Sequence, residues 1–309
     1  MPAARTKHVT EIEGRRLTLS NLDKALYPSG FTKGQVIDYY VRASSVALPH
    51  LAGRPVTLKR YPDGIEAPHF YAKDAPRYTP DWVRTYPVPR RGGGKDIRYI
   101  VIDDLPTLVW CANTASIELH PFLHRAPGID RPTAVAFDLD PGEGLGVLGA
   151  SEAALMIREL LEQRGLQSFA KVSGSKGVQV YAPLNTRVTY ELTRRFARDL
   201  AEHAQRRNPD RIISVMAKEL RKGKVFIDWS QNSDFKTTVA VYSLRAKRET
   251  PYVSAPVTWD EITLALKKQD ESRLFFEPEA ALKRIEKLGD LFAPVLTLKQ
   301  RLPRERNSE

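Results

Sequence analysis

The sequence predicts an α+β protein, and three observations carry that prediction. Strand-like and helix-like patterns are interspersed without the strict alternation that builds a doubly wound sheet. There is no internal repeat and no long linker. The 309 residues, 42% of them hydrophobic, suffice for a sizeable core, as one large unit or two intimate subdomains.

The elements follow in order. Residues 1–14 are polar and read as a mobile N-terminal tail. RRLTLSN (15–21) is a short strand and LDKALYPSG a turn-rich connector. Thr32, with Gln35 three residues on, forms a capping box. A stripe of Val36, Ile37, Tyr40, Ala43 and Ala47 then carries a helix to Leu48. VTLKRYP is a strand, and HFYAKDAP places the aromatic pair Phe70 and Tyr71 beside Lys73. Residues 81–105 read as strands interrupted by a flexible RRGGGK loop, and Leu105 to Leu119 as an apolar helix ending at His120-Pro121. TAVAFDLDPGEG (133–144) is a strand, and Ser151 is expected to cap a helix that ends at Gly165. FAKVSGSKGVQVYAPL gives two strands around a glycine-rich turn, and Thr189 to Arg206 a helix studded with arginines. KVFIDWS and KTTVAVYSLR read as strands, and helices are expected near Trp259–Lys268 and Glu279–Lys287. A single domain is therefore expected over 15–293, followed by a basic tail over 294–309.

The net charge is +11 and the isoelectric point about 9.6, which favours a polyanionic partner, nucleic acid before an anionic membrane. The single cysteine, Cys111, rules out an intrachain disulfide framework and any multi-cysteine zinc site. The N-terminus lacks the apolar core of a signal peptide, and no run of 18 apolar residues exists. A cytoplasmic protein without membrane attachment is the expectation.

Within the strand TAVAFDLDPGEG, period-2 alternation places Asp138 and Asp140 on one face, roughly 7 Å apart along the strand. Paired carboxylates at that spacing suit one or two hard divalent cations. A third acid, Asp228, shares a strand face with Phe226 in KVFIDWS. It is either half of a structural salt bridge or the completion of that metal site. Three convergent carboxylates are what a two-metal phosphoryl-transfer centre requires. SGSKG (173–177) offers Ser173, Lys176 and backbone amides to phosphate oxygens, although Gly/Ser turns between strands are common and Walker A spacing is absent. His120 and His124 with Glu118 raise zinc, but Pro121 interrupts any helix that would align the histidines.

Together FDLDPGEG, SGSKG, KVFIDWSQNS and SLR resemble the polymerase domain of bacterial ligase D, of the archaeo-eukaryotic primase superfamily. LTLSNLDKALYP, TKGQVIDYY and AGRPVTLKRYPDG resemble its N-terminal blocks, so the resemblance runs from about Leu17 to Ala293. It implies a primase-polymerase fold with central mixed or antiparallel sheets flanked by helices. It implies that Asp138, Asp140 and Asp228 hold two divalent cations, Mn2+ or Mg2+. Lys59, His120, Ser173, Lys176, Gln231 and Arg245 would bind the incoming nucleotide. Asn21, Lys24 and Lys33 would bind the 5′-phosphate at a DNA break, helped by the helix N-terminus at Thr32. Phe70 and Tyr71 would stack on template bases; a buried core pair is the competing reading. Implied partners are DNA with 5′-phosphorylated ends or gaps, nucleoside triphosphates, Ku and a DNA ligase.

One departure stands out. The family commonly carries histidine two residues after the last glycine of SGSKG; here it is Gln179, which cannot carry charge but still donates a hydrogen bond. Weakened rather than abolished activity is expected. There is no KxDG motif, and the tail after Ala293 is too short for a ligase or phosphoesterase domain. The expected activity is template-guided, ribonucleotide-preferring addition to a DNA 3′-hydroxyl in non-homologous end joining, with some template-independent addition. The alternatives are a primase-polymerase that starts chains de novo, a non-catalytic end-binding scaffold, and a metal-dependent nuclease.

Overall fold

The structure, a computed structural model, describes residues 7–303. In chain order its elements are β1 (Lys7–Ile12), β2 (Arg15–Ser20), α1 (Lys33–Leu51), β3 (Pro55–Arg60), β4 (Phe70–Ala72), β5 (Thr85–Val88), β6 (Ile97–Val101), α2 (Leu105–Asn113) and β7 (Ser116–Pro121). Then come β8 (Ala134–Pro141), α3 (Val147–Glu162), β9 (Phe169–Val172), β10 (Val178–Pro183), α4 (Tyr190–Arg207), β11 (Ile212–Ile213) and β12 (Val225–Asp228). The last are β13 (Leu244–Arg245), β14 (Tyr252–Val253), β15 (Pro256–Val257), α5 (Trp259–Lys268), α6 (Pro278–Leu288) and α7 (Pro294–Thr297). Strands and helices are mixed, as an α+β fold requires. They fall into two compact units.

The first unit comprises residues up to Ala126, with Thr237–Ser254 and Phe276–Gly289. Its main sheet is antiparallel: β3 pairs with β4, β6 and β7, and β6 pairs with β5. Helix α1 begins as its sequence dictates. Thr32 Oγ1 accepts from the Gln35 amide and the Gln35 side chain accepts from the Thr32 amide, closing the capping box. Its stripe of Val36, Ile37, Tyr40, Ala43 and Ala47 is buried, facing α2 and α6.

The second unit comprises Pro127–Lys236, Ala255–Phe275 and residues from Asp290 onward. It holds a six-stranded sheet in the order β11-β12-β8-β10-β9-β15. All neighbours are antiparallel except β11 and β12, so the sheet is mixed. β8 sits inside it, apolar on one face, with Val135, Phe137 and Leu139 fully buried. Helix α3 packs on β8 and β10. At the end of β8 the chain turns at Gly142, where a Cβ would lie 1.7 Å from the Arg221 carbonyl oxygen. Only glycine permits that approach.

Five expectations change. Residues 7–12 are not a loose tail: they form β1, paired along its length with β2; residues 1–6 lie outside the described residues. The apolar run after Leu105 is helical only to Asn113. Ala115 takes a left-handed φ of 58° and SIELHP continues as β7, because short apolar runs suit helix and buried strand alike. Ser151 lies inside α3, which starts at Val147 behind Gly146, and its hydroxyl donates to the Val147 carbonyl. Of KTTVAVYSLR only Leu244–Arg245 is a strand, with an isolated bridge from Thr237 to Phe122. The C-terminal basic segment is anchored as far as it is described. There α7 packs on β10, and the Gln300 amide donates to Pro183 and Gln167 carbonyls. Residues 304–309 lie outside the described residues.

Candidate functional site

The acids converge through strand register. On β8, Asp138 lies directly across from Asp228 on β12 and from Gln179 on β10; Gln179 in turn lies across from Lys171 on β9. Cross-strand partners share a face. One row across four strands therefore reads Asp228, Asp138, Gln179, Lys171, with Asp140 two residues along β8 on the same face. The sequence placed Asp138 with Asp140; the β8–β12 pairing adds Asp228, 88 residues away in the chain (228 − 140).

Their electrostatics are those of a site short of positive charge. Burial, and then repulsion from Asp140, raise the Asp138 carboxyl to about 7; Asp228 adds to the rise, while a hydrogen bond from Gln179 and the Lys171 ammonium oppose it. Gln179 and Lys171 are buried, at 3% and 1% exposure. So the amide in the histidine position does hold Asp138.

Asp228 is held by its own turn. One of its carboxylate oxygens accepts from the Ser230 amide at 2.9 Å and from the Ser230 hydroxyl. The other accepts from Gln231 Nε2 at 3.1 Å, with Lys236 Nζ at 3.6 Å. Among the described residues no three carboxylate, imidazole or thiol groups stand ready as a single-ion cluster. The donor chemistry nonetheless fits hard divalent cations: three carboxylates on one sheet face, and a Gln231 Oε1 that is buried without a hydrogen-bond partner. In SGSKG, Ser173 Oγ accepts from the Ser175 and Gly177 amides at 3.3 and 3.2 Å. Those two amides are thus spent on the turn, and the exposed Lys176 is its outward cation.

In the first unit the organising group is Glu118, which the sequence suggested only as a zinc neighbour. It is 1% exposed on β7. Arg245 Nε lies 3.3 Å from it, His120 Nε2 3.0 Å and Lys59 Nζ 3.8 Å. Tyr61 Oη and the Ala246 amide also donate to it, each at 3.2 Å. Burial would raise its carboxyl, but the His120 hydrogen bond and the Arg245, His120 and Lys59 charges more than offset this and hold it well below the usual carboxylate range. His120 is itself pushed down, by burial first and then by Arg245 and Lys59, against the pull of Glu118. Arg245 cannot lose its proton, so we assign the standing positive charge to Arg245 and Lys59 and a neutral ring to His120 at neutral pH. Lys59 is pushed down by burial, with Lys247 and Arg245 adding to the effect. One carboxylate thus faces two cations, Arg245 and Lys59, an excess that suits a polyanion. His124 stands apart, fully buried and stacked on Phe122 at 4.6 Å.

The aromatic pair is not a core pair: Phe70 is 47% and Tyr71 56% exposed. Nor is it one platform. Tyr71 lies across from Lys59 and Phe70 across from Arg60, on opposite faces of the β3–β4 ladder. Tyr71 sits 5.4 Å from Lys59 Nζ and 6.0 Å from the His120 ring, beside the Glu118 cluster. Phe70 lies 5.3 Å from the Arg60 guanidinium.

Asn21, Lys24 and Lys33 come together in the first unit. Asn21 takes a left-handed φ of 53°, and its carbonyl accepts from the Lys24 amide. Lys33 is 5% exposed and its Nζ donates to Ser20 Oγ at 3.3 Å. Burial, and then the Lys24 charge, lower it to about 8. Lys24 pairs with Asp63 at 2.6 Å. The helix N-terminus does not contribute as expected. The Lys33 and Gly34 amides donate to the Lys24 and Leu22 carbonyls, each at 2.8 Å, and the Gln35 amide donates to Thr32. The first amides of α1 are thus engaged within the chain, and only the side chains remain available to an anion.

Sequence reasoning missed Glu118, Lys171 and Lys236 as parts of these clusters. A buried glutamate between apolar residues, in SIELHP, was the available signal for the first; the lysines depend on strand pairing and turn geometry.

The comparisons with known proteins follow the same lines. A family model described as the LigD primase-polymerase domain matches residues 32–292. The chain is 39% identical over 283 residues to the multifunctional non-homologous end joining protein LigD of Mycolicibacterium smegmatis, covering 91% of this chain and 36% of that protein. It is 33% identical to the bifunctional LigD of Bacillus subtilis, covering 89% of this chain and 43% of that one. The chain thus spans well under half the length of these relatives. Its fold matches the polymerase domain of Mycobacterium tuberculosis ligase D, solved in complex with DNA, with a TM-score of 0.84, 39% identity, and coverage of 92% of this chain and 99% of that one. On sequence, fold and extent of match, the chain belongs to the LigD primase-polymerase domain family.

Proposed function

We propose that this chain is a DNA-end-directed nucleotidyltransferase of non-homologous end joining, filling gaps and extending 3′ ends with a preference for ribonucleotides. The observation that carries this reading is the row of Asp228, Asp138 and Gln179 with Asp140 on one sheet face. Asp138, Asp140 and Asp228 would hold two divalent cations, manganese or magnesium, which when bound neutralise phosphate charge and make a 3′-hydroxyl a better nucleophile. Arg245 and Lys59 are the proposed phosphate-binding groups of the first unit, and Ser173 and Lys176 those of the second. His120, neutral and turned by Nε2 to Glu118, donates to phosphate only once protonated, which the incoming charge favours. Gln231 offers Oε1 to the sugar or to the metal shell. The 3′-oxygen attacks the α-phosphorus, the bond to the β-phosphate oxygen breaks, pyrophosphate leaves, and the hydroxyl proton passes to solvent. DNA with 5′-phosphorylated ends or gaps is the substrate; Ku and a separate ligase are the expected partners. No helix among the described residues is long and apolar enough to cross a membrane.

The test is primer extension on a gapped 5′-phosphate substrate with manganese, ribo- and deoxyribonucleotides run in parallel. Extension favouring ribonucleotides is expected. Equal use of both sugars would sink the sugar preference, binding without extension would support a scaffold, and strand cleavage a nuclease.

Asn21, Lys24 and Lys33 are proposed to hold the 5′-phosphate, and Lys33 gives that a pH signature. Its free ammonium titrates near 8. The affinity advantage of 5′-phosphate over 5′-hydroxyl ends should therefore be present at pH 7 and shrink as pH rises to 9. Lys33→Met should remove most of the advantage and flatten the profile. Titrations of both end types at the two pH values check this; an advantage that is unchanged at pH 9 and in the variant would remove Lys33 from the pocket.

A further inference from the structure

The split of Phe70 from Tyr71 leaves a surface that the proposed reading does not use. From Phe70 a line of flat groups runs across the first unit. The Arg60 guanidinium lies 5.3 Å from the Phe70 ring centre. Its Nη1 donates to Tyr78 Oη at 2.8 Å and its Nε to the Thr114 carbonyl at 2.9 Å. The Tyr78 ring then lies 6.3 Å from that of Trp110, tilted by 54°. Tyr78 is 60% exposed, more than Phe70 or Tyr71. The Pro76–Thr79 turn that carries it is closed by the Thr79 amide and hydroxyl on the Pro76 carbonyl. Exposed cations flank the line at Lys73 and Arg77.

Contiguous exposed apolar surface, unlike a single exposed ring, marks an interaction site. Here Phe70 and Tyr78 are exposed and Trp110 half-buried, with a guanidinium between Phe70 and Tyr78 that makes two hydrogen bonds. Aromatic and guanidinium planes accept any base, and the surrounding positive charge suits a phosphodiester backbone. Because the groups are already ordered, little entropy is lost when a strand lands on them.

We infer that Arg60, Tyr78 and Trp110 continue from Phe70 a base-stacking track for an unpaired nucleic-acid strand, and that Tyr71 is not part of it. Tyr71 belongs with Lys59 and His120 to the triphosphate pocket. The inference rests on the proposed function for its setting, but not for its test. Binding is measured by fluorescence anisotropy with the whole chain, a recessed duplex bearing a single-stranded template tail, and neither nucleotide nor metal. Tyr78→Ala should bind the tailed duplex roughly five- to a hundredfold more weakly, the scale of one lost stacking platform, and a blunt duplex equally well. Tyr78→Phe, which keeps the ring and drops the hydroxyl, should stay near wild type. A 2-aminopurine in the tail should be quenched on binding to wild type and less so with Tyr78→Ala. Tyr71→Ala should raise the apparent KM for nucleotide and leave tail binding alone. Equal tail affinity in wild type and Tyr78→Ala overturns the track, as does a wild type that ignores the tail; a loss in Tyr71→Ala matching that in Phe70→Ala overturns the split. If no variant or wild type extends a primer yet Tyr78→Ala loses the tail, the polymerase reading falls and the track stands.

Discussion

Asp138→Asn is expected to abolish nucleotide addition and at the same time to stabilise the metal-free protein. Both effects come from one carboxylate. Asp138 is held against Asp140 and Asp228 with Gln179 and Lys171 as its relief, and its carboxyl is raised to about 7 from an ordinary 3.8. A carboxyl raised on folding favours the native state while protonated, and that advantage disappears as pH climbs through the native value. The wild-type metal-free chain should therefore lose stability between about pH 4 and pH 7. An asparagine carries no charge to repel, so the variant should lack that slope. At pH 8 it should be more stable by about 1–3 kcal/mol, discounted because Asp138 is only half-buried, and should melt a few degrees higher. Manganese should raise the melting temperature of wild type and not that of the variant. Extension should fall on the order of a thousandfold, about 4 kcal/mol of barrier. Thermal melts across pH, with and without manganese, are read beside the extension assay. A variant that melts lower than wild type at pH 8, or extends within tenfold of it, contradicts the assignment.

How much of this was legible beforehand follows the range of the interactions concerned. Asp138 and Asp140 share a face by period 2 alone. Asp228 needed only the right partner strand, which its own acid-bearing pattern advertised. The Thr32 capping box was likewise local and held. What escaped was set by pairing or by competition for the same groups. Gln179 meets Asp138 only through the β8–β10 register. Phe70 and Tyr71, adjacent in sequence, serve different faces because strands alternate. The amides that open α1 looked available to a phosphate, but the loop before them folds back and takes them. The run around Cys111 and Glu118 was too uniformly apolar to reveal where helix gives way to strand, so the most connected buried acid in the first unit was hidden inside a predicted helix.

That acid supplies the largest expected stability effect. Glu118→Gln preserves volume and shape but leaves Lys59 and Arg245, 4% and 11% exposed in their side chains, without their anion. The new amide nitrogen also meets donors already aimed at Glu118, from Tyr61 and Ala246. Breaking a buried ion pair from one side costs about 3–5 kcal/mol, so the variant should melt several degrees below wild type at pH 7. The sign with pH is fixed by the direction of the shift. Glu118 is held below its ordinary value of 4.5, so its contribution is complete above that value and is lost as pH falls through the native one. The gap between wild type and variant should accordingly be widest near neutrality and close under acid. A polyanion should reverse part of the loss. Because the cations of the variant have no carboxylate to satisfy, added pyrophosphate or nucleoside triphosphate should raise its melting temperature more than that of wild type. Equal melting of the two at pH 7 would mean that Arg245 and Lys59 are compensated elsewhere. A variant that melts low but is no better rescued by pyrophosphate would separate the fold from the anion site, leaving Glu118 a structural acid and moving the triphosphate away from its cluster.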